Sequence, residues 1–219
     1  MEISDPPPGV RVAVAAESLP GPAAARPGLF LDRDGVLVEE VEYLHRVEEL
    51  RVQAGAVALI HAAHAAGHAV AVVSNQSGID RGIYGWDDYD RVEKELARCL
   101  AEEGVSVDAR VACAFHPRFT PGWGEAHAYW RKPGPGMLVL AAERLAVDLA
   151  RSWMIGDMAS DARAAKAAGL AGAIHLRTGP HGEPNEAGAL AEATAAFAVE
   201  ATSGLGEAAG LLRPRGLLS

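Results

Sequence analysis

Asp32 and Asp34 stand two residues apart in Leu31-Asp32-Arg33-Asp34-Gly35, directly after the apolar run Leu29-Phe30-Leu31. A carboxylate can attack phosphorus and form an acyl phosphate. A second carboxylate beside it can protonate the leaving oxygen and then deprotonate an attacking water. Gly35 lets the chain turn, so that residues at a strand end converge on one cation. The same short stretch also reads as a solvated acidic turn, and alone it does not choose.

Three further clusters carry related chemistry. Val72-Val73-Ser74-Asn75-Gln76-Ser77-Gly78 ends an apolar run in hydroxyl and amide residues, a loop able to offer N–H and O–H groups to phosphate oxygens. Arg131-Lys132-Pro133-Gly134-Pro135-Gly136 places a cation at a turn that opens a helix. Lysine is scarce in this chain (Lys94, Lys132 and Lys166), and a lysine at such a turn would neutralise charge on a transferring phosphoryl group. Ile155-Gly156-Asp157-Met158-Ala159-Ser160-Asp161 supplies two carboxylates of the hard kind that suits Mg²⁺. The plain readings are a polar turn, a solvated loop cation and, for Asp161, an acid favouring a helix N-terminus.

Hydrophobic patterning supplies the elements that would position these groups. Helical patterns cover 54–67, 87–103, 136–147 and 160–168, with a short one at 205–212. Strand patterns cover 69–73, 107–115, 152–155 and 171–176, with a weak one at 195–200. This alternation predicts an α/β fold, a Rossmann-like doubly wound parallel sheet with helices on both faces. In such sheets ligands bind beyond the carboxyl ends of the strands, where the polar clusters fall. Residues 1–27, rich in Pro, Ala and Gly, read as a flexible extension, and 28–219 as a single domain.

The chain has 219 residues and a formal charge of −9, which argues against a nucleic-acid partner held by phosphate neutralisation. No stretch approaches the roughly 20 apolar residues of a membrane span. Cys99 and Cys113 form no CxxC pair, and a reduced, cytoplasmic setting is the simpler expectation. The expected partner is a small phosphorylated molecule, and the expected state a monomer.

Taken together and in this order, the four clusters resemble the haloacid dehalogenase superfamily of phosphohydrolases over about residues 28–180. The resemblance implies Asp32 as nucleophile and Asp34 as general acid/base, with Ser74 and Lys132 on the phosphoryl oxygens. It implies Mg²⁺ held by Asp32, the Asp34 main-chain carbonyl and Asp157, with Asp161 supporting them. Both aspartates of the first cluster favour a phosphatase over a dehalogenase. The spacing between clusters leaves no room for a large cap after Asp34, so the fold is expected capless or with a minimal loop cap.

Within the superfamily the chain looks most like the heptose bisphosphate phosphatases. Asp32-Arg33-Asp34-Gly35, Tyr43-Leu44-His45, Asn75-Gln76-Ser77-Gly78-Ile79 with Arg81-Gly82, Arg131-Lys132-Pro133 and Arg177-Thr178-Gly179 carry that likeness. It implies substrate contacts from Glu40, Val41, Glu42, Tyr43, Asn75, Gln76, Ser77 and Arg131. Histidinol-phosphate phosphatases are similar but tend to carry an acid where this chain has Ser77. A phosphosugar-binding protein without turnover is the reading from another class. Two departures stand out. Of the zinc loop found in many relatives only Cys113 is in register, so no zinc is expected. Phe115, Tyr129 and Trp130 would hold that loop by packing. Met158 stands where relatives often carry a base that could meet a second phosphate.

Three features invite weaker readings. His61, His64 and His68 share one side of a predicted helix and read as a solvent-facing stripe. Glu39, Glu40, Glu42, Glu48 and Glu49 form an acidic run that could attract a cationic substrate or simply be solvated. Trp86 and Trp123 could line the site or pack.

Overall fold

The computed structural model describes residues 5–18, 25–215 and 218. One seven-stranded sheet runs in the order β1-β4-β3-β2-β5-β6-β7. Its strands are β1 (Val10–Val14), β2 (Arg26–Leu31), β3 (Ala69–Asn75), β4 (Ala109–Cys113), β5 (Val147–Gly156), β6 (Gly172–Leu176) and β7 (Ala198–Thr202). All neighbours pair in parallel except β1, which runs antiparallel to β4. The helices are α1 (Ala56–Ala65), α2 (Trp86–Glu102), α3 (Glu125–Trp130), α4 (Gly136–Leu145), α5 (Ala159–Ala168), α6 (Gly179–Leu190) and α7 (Leu205–Leu212).

The period-2 geometry of a strand sends alternate side chains to opposite faces. Leu29 and Leu31 of β2, Val70 and Val72 of β3, and Trp153 and Ile155 of β5 enter one core, shared with α1, α2 and α7. Phe30, Ala71, Val73 and Met154 enter the other, against α4, α5 and α6. Both faces are covered, which is why the central strands read as continuous apolar runs.

From β2 the chain winds outward through β3 to β4, then returns to the other side of β2 as β5. The crevice between β2 and β5 is the switch point of the sheet. Leu31 pairs with Val72 on one side and Ile155 on the other, so Asp32, Ser74 and Asp157 emerge at one level. The connection from β2 to α1 is a loop whose one helical piece is the 3-10 turn Val47–Glu49.

Two expectations change. Residues 10–14, read as part of a flexible extension, form the edge strand β1, with Val10 aligned on Cys113. Parts of that segment, 1–4 and 19–24, lie outside the described residues. His68 does not continue the α1 stripe. The helix ends at Ala65, Gly67 turns the chain at φ 78°, and His68 is buried. His61 is exposed, and His64 pairs with Asp108 at 2.9 Å.

Candidate active site

The carboxyl ends of β2, β3 and β5 open into a cleft of about 720 Å³. Asp32, Asp34, Ser74, Lys132 and Asp157 line it. Thus four stretches far apart in sequence meet at one rim, three carried there by strand ends and the fourth by the turn between α3 and α4.

Asp32 follows β2 directly and is buried. Its Oδ1 accepts the main-chain N–H of Arg33 at 2.7 Å. Its Oδ2 faces the Lys132 ammonium at 2.9 Å. Burial pushes its pKa up to about 7, against the pull of Lys132.

Lys132 is the hub. Its Nζ lies 2.9 Å from Asp32 and 2.7 Å from Asp161, and donates to the Val73 carbonyl at 3.0 Å. Only 3 % of the residue is exposed. Burial opposes its charge, but Asp161 and Asp32 overcome this and hold its pKa above the ordinary value. The alternative reading of a solvated loop cation is thereby set aside. Lys94 is exposed, and Lys166 pairs with Glu192 at the surface.

Asp161 sits in the first turn of α5, as its reading as a helix N-terminal acid requires. Its Oδ2 accepts the Met158 N–H at 3.0 Å and closes the first turn of α5. Its Oδ1 faces Lys132. Gly156 makes room, since a Cβ there would lie 2.3 Å from Asp161.

Asp157 carries an orphaned carboxylate oxygen. Its Oδ2 is buried and receives no hydrogen bond from the described residues. Burial first, then the charges of Asp32 and Asp161, push its pKa up to about 9. Carboxylate oxygens of Asp32, Asp157 and Asp161 all lie within 4.8 Å of one another. Such a cluster, with an orphaned oxygen and only one ammonium against three acids, fits a hard divalent cation.

Asp34 is held away from this trio. Its oxygens accept the Arg33 guanidinium at 2.9–3.2 Å and the Gln76 amide at 2.9 Å. Ser74 Oγ lies 3.5 Å from Asp34 and accepts Gln76 Nε2 at 2.6 Å.

The residues expected to touch substrate all line the cleft: Glu40, Val41, Glu42, Tyr43, Asn75, Gln76, Ser77 and Arg131. Two of them are already committed within the protein. The Asn75 amide clasps the main chain of Lys132, donating at 3.1 Å and accepting at 3.0 Å. Gln76 is buried and bonded to Asp34, Ser74, Arg33 and Tyr84. Both therefore shape the site from behind. Glu40 is raised to about 7 by burial and by the nearby Asp34 and Asp32. Trp86 and Trp123 are absent from the lining. Trp86 packs edge-on to Tyr89, and Trp123 stacks on His127.

Met158, noted as a departure at a position that could meet a second phosphate, lines the cleft, while sequence reasoning missed Tyr84, Ser160, Pro180 and His181. Thr178, noted only as part of a likeness, donates to the Gly35 carbonyl at 2.7 Å and ties the end of β6 to the first cluster. It missed Glu93, whose carboxylate meets Arg33 at 3.1 Å. The available signal was its place on the buried stripe of α2, among Tyr89, Val92, Leu96 and Leu100.

Cys113 ends β4 fully buried, and burial pushes its thiol up to about 12. Around the same loop Phe115 meets His127 edge-on, and Tyr129 meets Trp130 likewise.

A buried aspartate at the end of β2, a buried lysine and a trio of close carboxylates meet at the switch point of this sheet, an arrangement that suits a phosphohydrolase. A HAD-hydrolase-like family model matches residues 129–201. The D-glycero-beta-D-manno-heptose-1,7-bisphosphate 7-phosphatase of Mesorhizobium japonicum is 43 % identical over 145 residues, covering 66 % of this chain and 67 % of that one. The same enzyme of Rhodopseudomonas palustris is 40 % identical over 150 residues, covering 68 % and 83 %. The crystal structure of D,D-heptose 1,7-bisphosphate phosphatase from B. bronchiseptica, complexed with magnesium and phosphate, superposes with a TM-score of 0.70 at 29 % identity, covering 85 % of this chain and 98 % of that one. The chain belongs to the haloacid dehalogenase-like phosphatases, in the family of the heptose-1,7-bisphosphate 7-phosphatases.

Proposed function

We propose that the protein removes the 7-phosphate of D-glycero-D-manno-heptose 1,7-bisphosphate through an aspartyl-phosphate on Asp32. The observation that carries the chemistry is the meeting of Asp32, Lys132, Asp161 and the unpartnered Asp157 oxygen at one strand-end crevice. The names of the relatives at 43 % and 40 % identity support the substrate. Arg131, a cleft-lining guanidinium held by the Phe115 carbonyl at 3.0 Å, supplies a cation for its other phosphate.

In the first half-reaction an Asp32 oxygen bonds to phosphorus as the bond to the sugar oxygen breaks. The leaving alkoxide takes the proton of Asp34. In the second half Asp34 removes a proton from water, whose oxygen attacks phosphorus and frees Asp32. Lys132 keeps the nucleophile in place and, with Ser74, faces the phosphoryl oxygens. Asp32, Asp157 and the Asp34 carbonyl would hold magnesium, which supplies charge neutralisation on the transferring group. Both cysteines are free, which suits a reducing compartment, and the reading takes the enzyme as cytoplasmic and monomeric. No helix among the described residues is long and apolar enough to cross a membrane.

The test is phosphate release from heptose 1,7-bisphosphate and from histidinol phosphate in magnesium, with the product followed by phosphorus NMR. The reading expects a higher kcat/KM on the heptose ester and loss of the 7-phosphate resonance. A preference for histidinol phosphate, or loss of the 1-phosphate instead, overturns it.

A further inference from the structure

Arg33 sits between nucleophile and acid/base in sequence, yet it belongs to neither role. It is 1 % exposed, among the largest fully buried side chains described. Each of its guanidinium nitrogens has a hydrogen-bond partner. Nε reaches both Asp34 oxygens at 3.1 and 3.2 Å, and one terminal nitrogen reaches Asp34 Oδ1 at 2.9 Å and Gln76 Oε1 at 3.0 Å. The other terminal nitrogen donates to Glu93 Oε1 at 3.1 Å. Tyr89 lies beneath the guanidinium carbon, 5.6 Å from its ring centroid.

We propose that the buried Glu93–Arg33 pair, together with Gln76 and Tyr84, fixes the orientation of Asp34 for proton transfer, making Arg33 and Glu93 positioning residues of the reaction. The inference rests on the assignment of Asp34 as general acid/base made above.

An arginine folded back on the carboxylate of its own sequence neighbour needs an anchor elsewhere. Glu93 supplies that anchor from α2, a helix on another part of the sheet. Its second oxygen faces Arg110 at 3.5 Å, so the chain of charges runs Arg110, Glu93, Arg33, Asp34. From the other side Gln76 Nε2 holds Asp34 Oδ2, and the Tyr84 hydroxyl fixes Gln76 through its Oε1 at 2.6 Å. Asp34 is thereby gripped from two directions while 23 % of its side chain stays open to the cleft.

A structural role alone is a poor account of this network. A buried ion pair rarely stabilises more than apolar residues of the same volume. Glu93 lies next to Val92 on the buried stripe of α2, where an apolar residue would pack. Only an arginine offers a planar fork that meets a carboxylate and a second acid together. What the network adds is a carboxylate of fixed direction beside the reacting oxygen, and positioning is where proton-transfer catalysis is won.

The reaction itself separates the two roles. An alkoxide leaves only with a proton, which Asp34 supplies as the phosphorus–oxygen bond breaks. A p-nitrophenolate leaves as the anion and takes no proton. Since kcat/KM reports steps through the first bond cleavage, misdirection of Asp34 should penalise alkyl esters selectively.

The experiment compares kcat/KM for heptose 1,7-bisphosphate and for p-nitrophenyl phosphate in wild type, Glu93→Gln, Glu93→Asp and Arg33→Lys, all with magnesium. Glu93→Gln is expected to lower the alkyl value about tenfold, a share of the usual acid–base contribution, and to leave the aryl value nearly unchanged. Glu93→Asp should restore part of the loss, and Arg33→Lys should be the most selective. Should the buried variants fail to fold, Tyr84→Phe loosens the same grip with little change of volume and is expected to lower the same ratio by about threefold. An unchanged alkyl-to-aryl ratio in the folded variants, whatever their melting temperature, overturns the proposal. A wild type that rejects the heptose ester sinks the substrate reading alone, and the ratio is then read with an alkyl monoester it does hydrolyse.

Discussion

A Cβ on residue 35 would lie 2.6 Å from Oδ2 of Asp157, the buried oxygen that has no hydrogen-bond partner among the described residues. Gly35 also sits at φ 76°, where a side chain is strained. The first cluster and the fourth are thus fitted to each other through a missing methyl group.

Gly35→Ala is expected to cost about 1–3 kcal/mol of stability, from strain and from the displaced carboxylate. It should also weaken magnesium binding, because Asp157 must move. Thermal melting and a magnesium titration of activity check both effects. A variant with wild-type magnesium dependence would show that Asp157 tolerates displacement.

Metal and proton should compete at Asp157. Its carboxyl is raised from 3.8 to about 9, by burial first and then by Asp32 and Asp161. A carboxyl whose folded pKa exceeds the unfolded value favours the fold while it keeps its proton, and that contribution fades as pH rises through the folded value. The metal-free protein should therefore lose stability on going from about pH 6 to about pH 9. Magnesium binding expels the proton, so affinity rises over the same window. At a hundredfold excess over Kd the ion should add about 2.7 kcal/mol. Melting with EDTA and with magnesium should show a gap that widens with pH and vanishes in Asp157→Asn.

Removing the hub cation should harm fold and chemistry together. Lys132→Met leaves Asp32 and Asp161 facing each other without their shared partner. Breaking a buried pair in this way costs about 3–5 kcal/mol, and loss of charge at the phosphoryl group costs about 10²–10³ in kcat. Low pH should rescue part of the stability by protonating Asp32, whose carboxyl burial already raises, while kcat stays low. Denaturant melts at two pH values, paired with turnover, test the separation.

Three of the proposed site residues, Asp32, Ser74 and Asp157, were legible because they stand at the ends of the apolar strands β2, β3 and β5, and strand ends are local features. What sequence did not show depends on distant partners. Val10–Val14 alternates like a strand, but Pro- and Gly-rich flanks hide it until β4 provides an edge. Helix α6 contains Gly179, Pro180, Gly182, Pro184 and Gly188, a composition that argues against a helix. Packing on α5 and β6 overrides it, and a Cβ on residue 182 would strike the Arg177 main chain at 2.4 Å. The family likeness implies Asn75 and Gln76 as substrate contacts. Only the fold shows their amides turned to Lys132 and Asp34.

The most direct test is to catch the phosphoryl group on its acceptor. In a single turnover with magnesium, acid quench and peptide mass analysis should find the peptide containing Asp32 heavier by one phosphoryl group, transiently and in proportion to product. The same peptide from Asp32→Asn should stay unmodified. Full turnover by Asp32→Asn, or a phosphoryl group found on another residue, would contradict the account.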